Sequence, residues 1–273
     1  MMFGFLGLGS MGSAIVRGAL AAGELSPTDI RFTRRTDSAA QALESELGIA
    51  RAASNAELVS QTGPGGVIMI GVKPHMVAGV LAEIRTAAAE NNSVIVSMAT
   101  GTPLAKMAAQ LAPAQPIIRV MPNVNMQIGL GMTALCANEY VTAKQLDRVE
   151  QVFAAAGETV RLPEAQFSAY AAIAGCSGAW TWTFIDALSR AALAEGITKA
   201  DSLRIAAQAV MGSAALALDK MDEVSPMNLI DEATSPGGTT IAGLIALEKS
   251  GFSSAAIDAV KAAVARDAEI AGE

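Results

Sequence analysis

Histidine occurs once in this chain of 273 residues, cysteine twice, and only 16% of the residues are charged. Cys136 and Cys176 have neither metal-site nor disulfide spacing. That excludes a cysteine-ligated metal module and a disulfide scaffold, and it points to a reduced, cytoplasmic setting. Basic residues are in the minority, 19 Lys+Arg against 26 Asp+Glu for a net charge of −7. The clustered positive charge on which nucleic-acid binding rests is therefore missing. No segment supplies the roughly 20 predominantly apolar residues that span a bilayer without glycine or polar interruption. The opening residues enter a strand at once, with no basic region and cleavage site, so neither a membrane span nor a signal peptide is expected. Internal repeats, low-complexity stretches and linkers are absent too. What is abundant is hydrophobic surface, 52% of residues. With so little charge to cover it, this surplus predicts burial between subunits, in a homodimer or a larger homo-oligomer.

Two halves differ in period. Apolar runs at 2–6, 30–33, 67–72, 94–97 and 117–120 alternate with helical patterns at 11–22, 37–47, 76–89 and 103–111. Such alternation is the signature of repeated βαβ units and a mostly parallel sheet. Residues 131–135 and 159–162 read as further, edge strands around a helix at 142–155. After Pro163 the strand signal vanishes, and 165–195, 199–220, 228–232, 239–250 and 253–270 all read as helical. The expected organisation is an α/β domain over residues 1–163 and an all-helical domain over 164–273. In the 199–220 helix, Leu203, Ala206, Val210, Met211, Ala214 and Leu218 recur at helical spacing while the opposite face is also poor in charge. A helix apolar nearly all round is buried on both sides, and in so small a domain the second side is another subunit.

Gly7-Leu8-Gly9-Ser10-Met11-Gly12 follows the first strand and opens the first helix, the context in which this motif binds a dinucleotide. Gly7 permits a tight turn, Gly9 lets a pyrophosphate approach the backbone, and Gly12 lets helix and strand pack closely. The second strand runs into Thr33-Arg34-Arg35-Thr36, with no carboxylate before Asp37. NAD-binding versions place Asp or Glu there for the ribose 2′-hydroxyl, whereas two guanidiniums, Arg34 and Arg35, suit a 2′-phosphate. NADPH is expected, with NADH a possible second cofactor; a solvated basic loop is the alternative. Val72-Lys73-Pro74-His75 lies where ligands sit in open α/β sheets, so Lys73 is a candidate for ribose or phosphate, or a plain surface lysine. His75 receives no catalytic role, since a lone loop histidine beside a cofactor channel is more often structural or exposed.

Near the other end stands Ser235-Pro236-Gly237-Gly238-Thr239-Thr240. Ser235 reads as a helix cap with Pro236 in the first turn, and the glycines leave N–H groups uncovered beside two hydroxyls. That is a second socket for an anion. With Gly7–Gly12, Asn55, Val72-Lys73-Pro74, 97–101 (Ser-Met-Ala-Thr-Gly) and 119–123 (Arg-Val-Met-Pro-Asn), it makes the chain resemble the pyrroline-5-carboxylate reductase family over almost its whole length. The resemblance implies a Rossmann domain, an all-helical dimerisation domain, and active sites built at the subunit interface. It implies that Ser235, Gly238, Thr239 and Thr240 bind the carboxylate of a cyclic imine. By the same resemblance Asn55 approaches the adenosine ribose, Ser10 and Met11 join the glycines at the cofactor, and Val72, Lys73 and Pro74 line its nicotinamide side. The implied activity is NADPH-dependent reduction of 1-pyrroline-5-carboxylate to proline, the last step of proline biosynthesis, with Thr240 at the imine nitrogen as the catalytic group. No metal is implied.

The chain departs from that pattern at 174–180, where Ala-Gly-Cys-Ser-Gly-Ala-Trp replaces the family's Ser-Gly-Ser-Gly-Pro-Ala-Tyr, and at Asn123-Val124-Asn125, where Asn-Thr-Pro is usual. Lost hydroxyls change which ligand groups a pocket can satisfy. This leaves open a paralogue reducing another cyclic imine or carboxylate-bearing substrate, or a nucleotide-binding relative without turnover. A 3-hydroxyacid dehydrogenase opens on a run like Phe5–Gly12, but it needs a catalytic lysine on a helix of its second domain. Residues 165–195 contain none.

Overall fold

Alternation along the strands divides the core in two. The structure, a computed structural model, describes residues 1–272. In β1 (Phe3–Leu6), Phe3 and Phe5 enter one apolar cluster and Leu6 the other. Successive side chains of a strand point to opposite faces, so both faces of this sheet are covered. The order continues through α1 (Ser10–Ala21), β2 (Ile30–Thr33), α2 (Asp37–Leu47), β3 (Ala50–Arg51), α3 (Asn55–Thr62), β4 (Val67–Ile70), α4 (Pro74–Glu90) and β5 (Val94–Ser97). In β4, Val67 and Met69 join Phe3 and Phe5, while Ile68 and Ile70 join Leu6; in β5, Val94 and Val96 part from Ile95 in the same way. Then come α5 (Leu104–Ala108), β6 (Ile117–Pro122), β7 (Gly131–Ala137), α6 (Ala143–Ala154) and β8 (Gly157–Arg161).

The eight strands run in the order β3-β2-β1-β4-β5-β6-β7-β8, parallel throughout except for the antiparallel β6–β7 pair. β7 therefore lies inside the sheet, not at its edge as its sequence suggested, because β8 pairs with it in parallel register from Gly131–Gly157 to Leu135–Arg161. The strand order reverses between β1 and β4, whose carboxyl ends open the crevice where doubly wound sheets bind ligands. Local caps fix the helices around it: the Ser54 hydroxyl accepts from the Glu57 N–H ahead of α3, and Thr142 and Gln145 form a capping box on α6.

Helices follow: α7 (Phe167–Tyr170), α8 (Ser177–Ala194), α9 (Lys199–Asp219), α10 (Pro226–Ala233), α11 (Thr239–Lys249) and α12 (Phe252–Gly272). The single helix expected over 165–195 is broken into a 3-10 turn at Glu164–Gln166, α7, a π-helical stretch at Ala171–Cys176 and α8. A π-turn takes one more residue per hydrogen bond, which the helical periodicity of the sequence does not reveal. By packing, the chain forms two units: residues 1–175 with the described residues from Arg266 onward, and Cys176–Ala265. In the second unit only Ser189, Ser202 and Ala206 are buried among the described residues, and Leu203, Ile205, Met211, Leu218 and Ile245 are half or more exposed. None of the described helices is long and apolar enough to cross a membrane.

Candidate functional site

In the first unit the turn after β1 is built around Gly7, whose φ is +84°. A β-carbon there would be strained and would sit 2.9 Å from Val72 Cγ1, so β1 and β4 end in close contact. The Gly7 and Leu8 N–H groups donate to the Thr33 carbonyl, and Gly9 N–H donates back to the Gly7 carbonyl. Gly9 is the N-cap of α1 with no side-chain cap, no acidic residue follows in the first turn, and a β-carbon at Gly9 would point into open space. The N–H groups of Ser10 and Met11 have no partner among the described residues. An uncapped, acid-free helix start beneath open space fits a pyrophosphate.

At the end of β2, Arg34 Nη1 donates to the Leu8 carbonyl at 2.9 Å, which holds its guanidinium against the glycine turn. Arg35 is exposed and has no partner among the described residues. Ser10 and Arg34 line one groove of about 990 Å³ that runs along α1 past the bidentate Arg17–Glu46 pair (2.7 and 3.0 Å). Asn55, Val72, Lys73 and Pro74 do not line that groove. Asn55 is the first residue of α3, and its amide is already engaged: Oδ1 accepts from the Thr33 hydroxyl at 2.8 Å and Nδ2 donates to Glu83 Oε2 at 2.8 Å. Lys73 is the exposed N-cap of α4, again without a side-chain cap or an acidic first turn, and Pro74 and His75 are exposed beside it.

Ser235–Thr240 lies in the second unit. The expected cap at Ser235 with Pro236 inside the helix is incorrect. Gly238 N–H donates to the Ser235 carbonyl at 3.0 Å, and Gly237 has φ +69°, so residues 235–238 form a turn with Pro236 in its second position and glycine in its third. A left-handed residue cannot continue a right-handed helix, so α11 starts two residues later with Gly238 as its N-cap. No side chain caps it, its first turn has no acid, and the N–H groups of Thr239, Thr240 and Ile241 have no partner among the described residues. Ser235, Thr239 and Thr240 are exposed. The uncovered N–H groups expected here stand at the start of α11, behind a turn other than the one expected.

Sequence reasoning gave no role to Arg51, Glu83 or Glu164. Arg119, buried on β6, pairs with Glu164 at 3.0 Å and lies 4.7 Å over the Phe167 ring. Glu164 Oε1 also accepts from Leu104 N–H at 2.8 Å, which starts α5. Asn123 ties the π-helical stretch to β7: Nδ2 donates to the Ala174 carbonyl and Oδ1 accepts from Met132 N–H. Burial first, and then the Glu164 carboxylate, push the Cys136 thiol up to about 12. These pairings cross the sheet or join distant segments, where no local spacing announces them.

A doubly wound sheet whose switch point carries a glycine turn and an uncapped helix defines a dinucleotide-binding protein. Residues 164–270 match the family model described as pyrroline-5-carboxylate reductase dimerisation, and residues 2–101 match the one described as NADP oxidoreductase, coenzyme F420-dependent. The pyrroline-5-carboxylate reductase of Escherichia coli K12 is 36% identical over 257 residues, 94% of this chain and 93% of that protein. Its counterpart in Methanosarcina acetivorans is 30% identical over 98% of this chain and 97% of that one. Among solved structures, a pyrroline-5-carboxylate reductase from Coxiella burnetii aligns with a TM-score of 0.92 at 30% identity, covering 98% of this chain and 97% of that one. A Plasmodium falciparum pyrroline carboxylate reductase with NADP bound aligns at 0.85 with 26% identity, covering 99% and 98%. The chain belongs to the pyrroline-5-carboxylate reductase family.

Proposed function

We propose that this protein reduces the cyclic imine 1-pyrroline-5-carboxylate to L-proline with NADPH, the last step of proline biosynthesis. The observation that carries this reading is the α11 N-terminus, an anion receptor of unpartnered N–H groups with three hydroxyls beside it and no acid in its first turn. NADPH, when bound, supplies a hydride to the carbon of the C=N bond.

The chain's own residues hold and orient. The N–H groups that open α11 and the hydroxyls of Ser235 and Thr239 take the substrate carboxylate, with Gly238 leaving the approach clear. Fixing the ring in this way is the larger contribution, since positioning is worth roughly 7–11 kcal/mol of a barrier. The Thr240 hydroxyl donates a hydrogen bond to the nitrogen of the neutral imine and passes it a proton taken up from solvent, so that the nitrogen gains a proton as the carbon gains the hydride. A threonine hydroxyl does not ionise near neutral pH, so this is a donor's role and not a titrating acid's. Protonated, the imine is already a strong electrophile, which agrees with a chain holding one histidine.

Toward the cofactor, Gly7, Gly9 and Gly12 with the Ser10 and Met11 N–H groups hold the pyrophosphate. Arg34 and Arg35 take the 2′-phosphate, Asn55 frames the adenosine ribose, and Val72, Lys73 and Pro74 line the nicotinamide side. The exposed apolar helices of the second unit pair two copies into a homodimer, and two unpaired cysteines suit the reducing cytoplasm. Incubating purified protein with 1-pyrroline-5-carboxylate and NADPH tests the reading. Proline should form as NADPH is consumed, and more slowly with NADH. NADPH binding without turnover would contradict the activity, and equal efficiency with both cofactors would contradict the cofactor choice.

A further inference from the structure

β3 is only two residues long and lies at the sheet edge, yet its Arg51 is tied on several sides. Arg51 Nη2 donates to the Arg34 carbonyl at 2.9 Å and pairs with Asp37 Oδ1 at 2.7 Å, and Arg51 N–H donates to Glu44 Oε1. Asp37 is the first carboxylate after β2 and opens α2, so it stands nearest to where a dinucleotide-binding sheet holds a ribose 2′-hydroxyl. Arg51 thus occupies the first carboxylate that follows β2, and it pins the backbone of the arginine expected to meet the phosphate. Without it, Asp37 would face the same region with an unpaired negative charge, attracting a hydroxyl and repelling a phosphate.

We propose that Arg51 is a positioning residue for cofactor selection: by clamping the 34–37 turn and neutralising Asp37 it makes the end of β2 favour a 2′-phosphate over a 2′-hydroxyl. The inference rests on the NADPH-dependent reading above and concerns a residue that does not itself need to touch the cofactor.

The test measures Kd for NADPH and NADH by nicotinamide fluorescence, without substrate, in the wild type and in Arg51→Gln, Arg51→Gln with Asp37→Asn, and Asp37→Asn alone. Arg51→Gln should lower the preference for NADPH about threefold to fivefold, as expected for the loss of an ion pair open to solvent. Adding Asp37→Asn should restore most of that loss, because the exposed carboxylate causes it. Asp37→Asn alone, which keeps Arg51, should leave the preference unchanged or raise it, and this variant remains informative if Arg51→Gln folds poorly. An unchanged preference in folded Arg51→Gln, no recovery in the double variant, or a fall in Asp37→Asn would each overturn the proposal while leaving NADPH binding in place. A wild type that binds neither cofactor would overturn it together with the reading beneath it.

Discussion

Replacing Glu164 by alanine strands a guanidinium. The Arg119 side chain is 9% exposed and Glu164 is 31% exposed, and their 3.0 Å pair is joined by the Leu104 N–H, which shares the same carboxylate oxygen. Arg119 Nε is already without a partner, so the arginine has little else to turn to. Removing one partner of a buried pair costs about 3–5 kcal/mol, and the partial access of water to Glu164 puts this case near the lower end, about 3 kcal/mol. Arg119→Met removes the charge and the orphaned Nε while keeping an apolar chain over Phe167, so it should cost less, about 0–2 kcal/mol. The double variant should be no less stable than Glu164→Ala alone, since no charge is left stranded. Urea unfolding followed by far-UV circular dichroism reads the differences, with every variant measured at one protein concentration. A Glu164→Ala cost below about 1 kcal/mol, or a larger cost for Arg119→Met, would refute the reasoning.

Three further outcomes follow from the same structure. Thr240→Ala should lower kcat by about 10²–10³ with the fold intact, the usual cost of one well-placed hydrogen-bond donor, and full activity would remove Thr240 from the chemistry. Gly7→Ala forces a β-carbon into a φ of +84° and against Val72, so NADPH affinity should fall at least tenfold at unchanged helix content; wild-type affinity would count against the role of the turn. The Cys136 thiol keeps its proton to about pH 12 in the folded chain, against 9.0 ordinarily. The unfolded chain therefore binds fewer protons between those values, and stability should fall as pH rises through that window. Cys136→Ala should blunt the fall, and native Cys136 should resist alkylation at pH 8, whereas equal alkaline sensitivity in both proteins would contradict this.

Where residues act through neighbours in sequence, the fold was readable before any coordinates. The 3–6 and 67–70 runs alternate between two apolar clusters, and a strand–glycine turn–helix order marks the turn after β1, whereas the strand order that puts the switch point there is not legible in the sequence. The all-helical second half followed from the loss of period two after Pro163. Local spacing failed where a rarer backbone state intervened. Ser235 carries good capping chemistry, but the left-handed Gly237 moves the cap to Gly238 with α11 starting at Thr239, and the π-turn at Ala171–Cys176 interrupts what looked like one helix. β3 was too short for any periodicity to register, and with it Arg51 passed unnoticed, since its partners lie 14 and 17 residues away in the chain. Arg119, by contrast, lies inside the 119–123 motif, yet only the structure reveals Glu164 as its partner.

On this protein a hydride from NADPH reaches the imine carbon of 1-pyrroline-5-carboxylate. Single-turnover reaction with NADPH deuterated at the transferred position, followed by mass spectrometry of the product, tests it most directly. Proline carrying one deuterium on the ring carbon of the former C=N bond is the predicted result. Unlabelled proline, or none from protein that demonstrably binds NADPH, would contradict it.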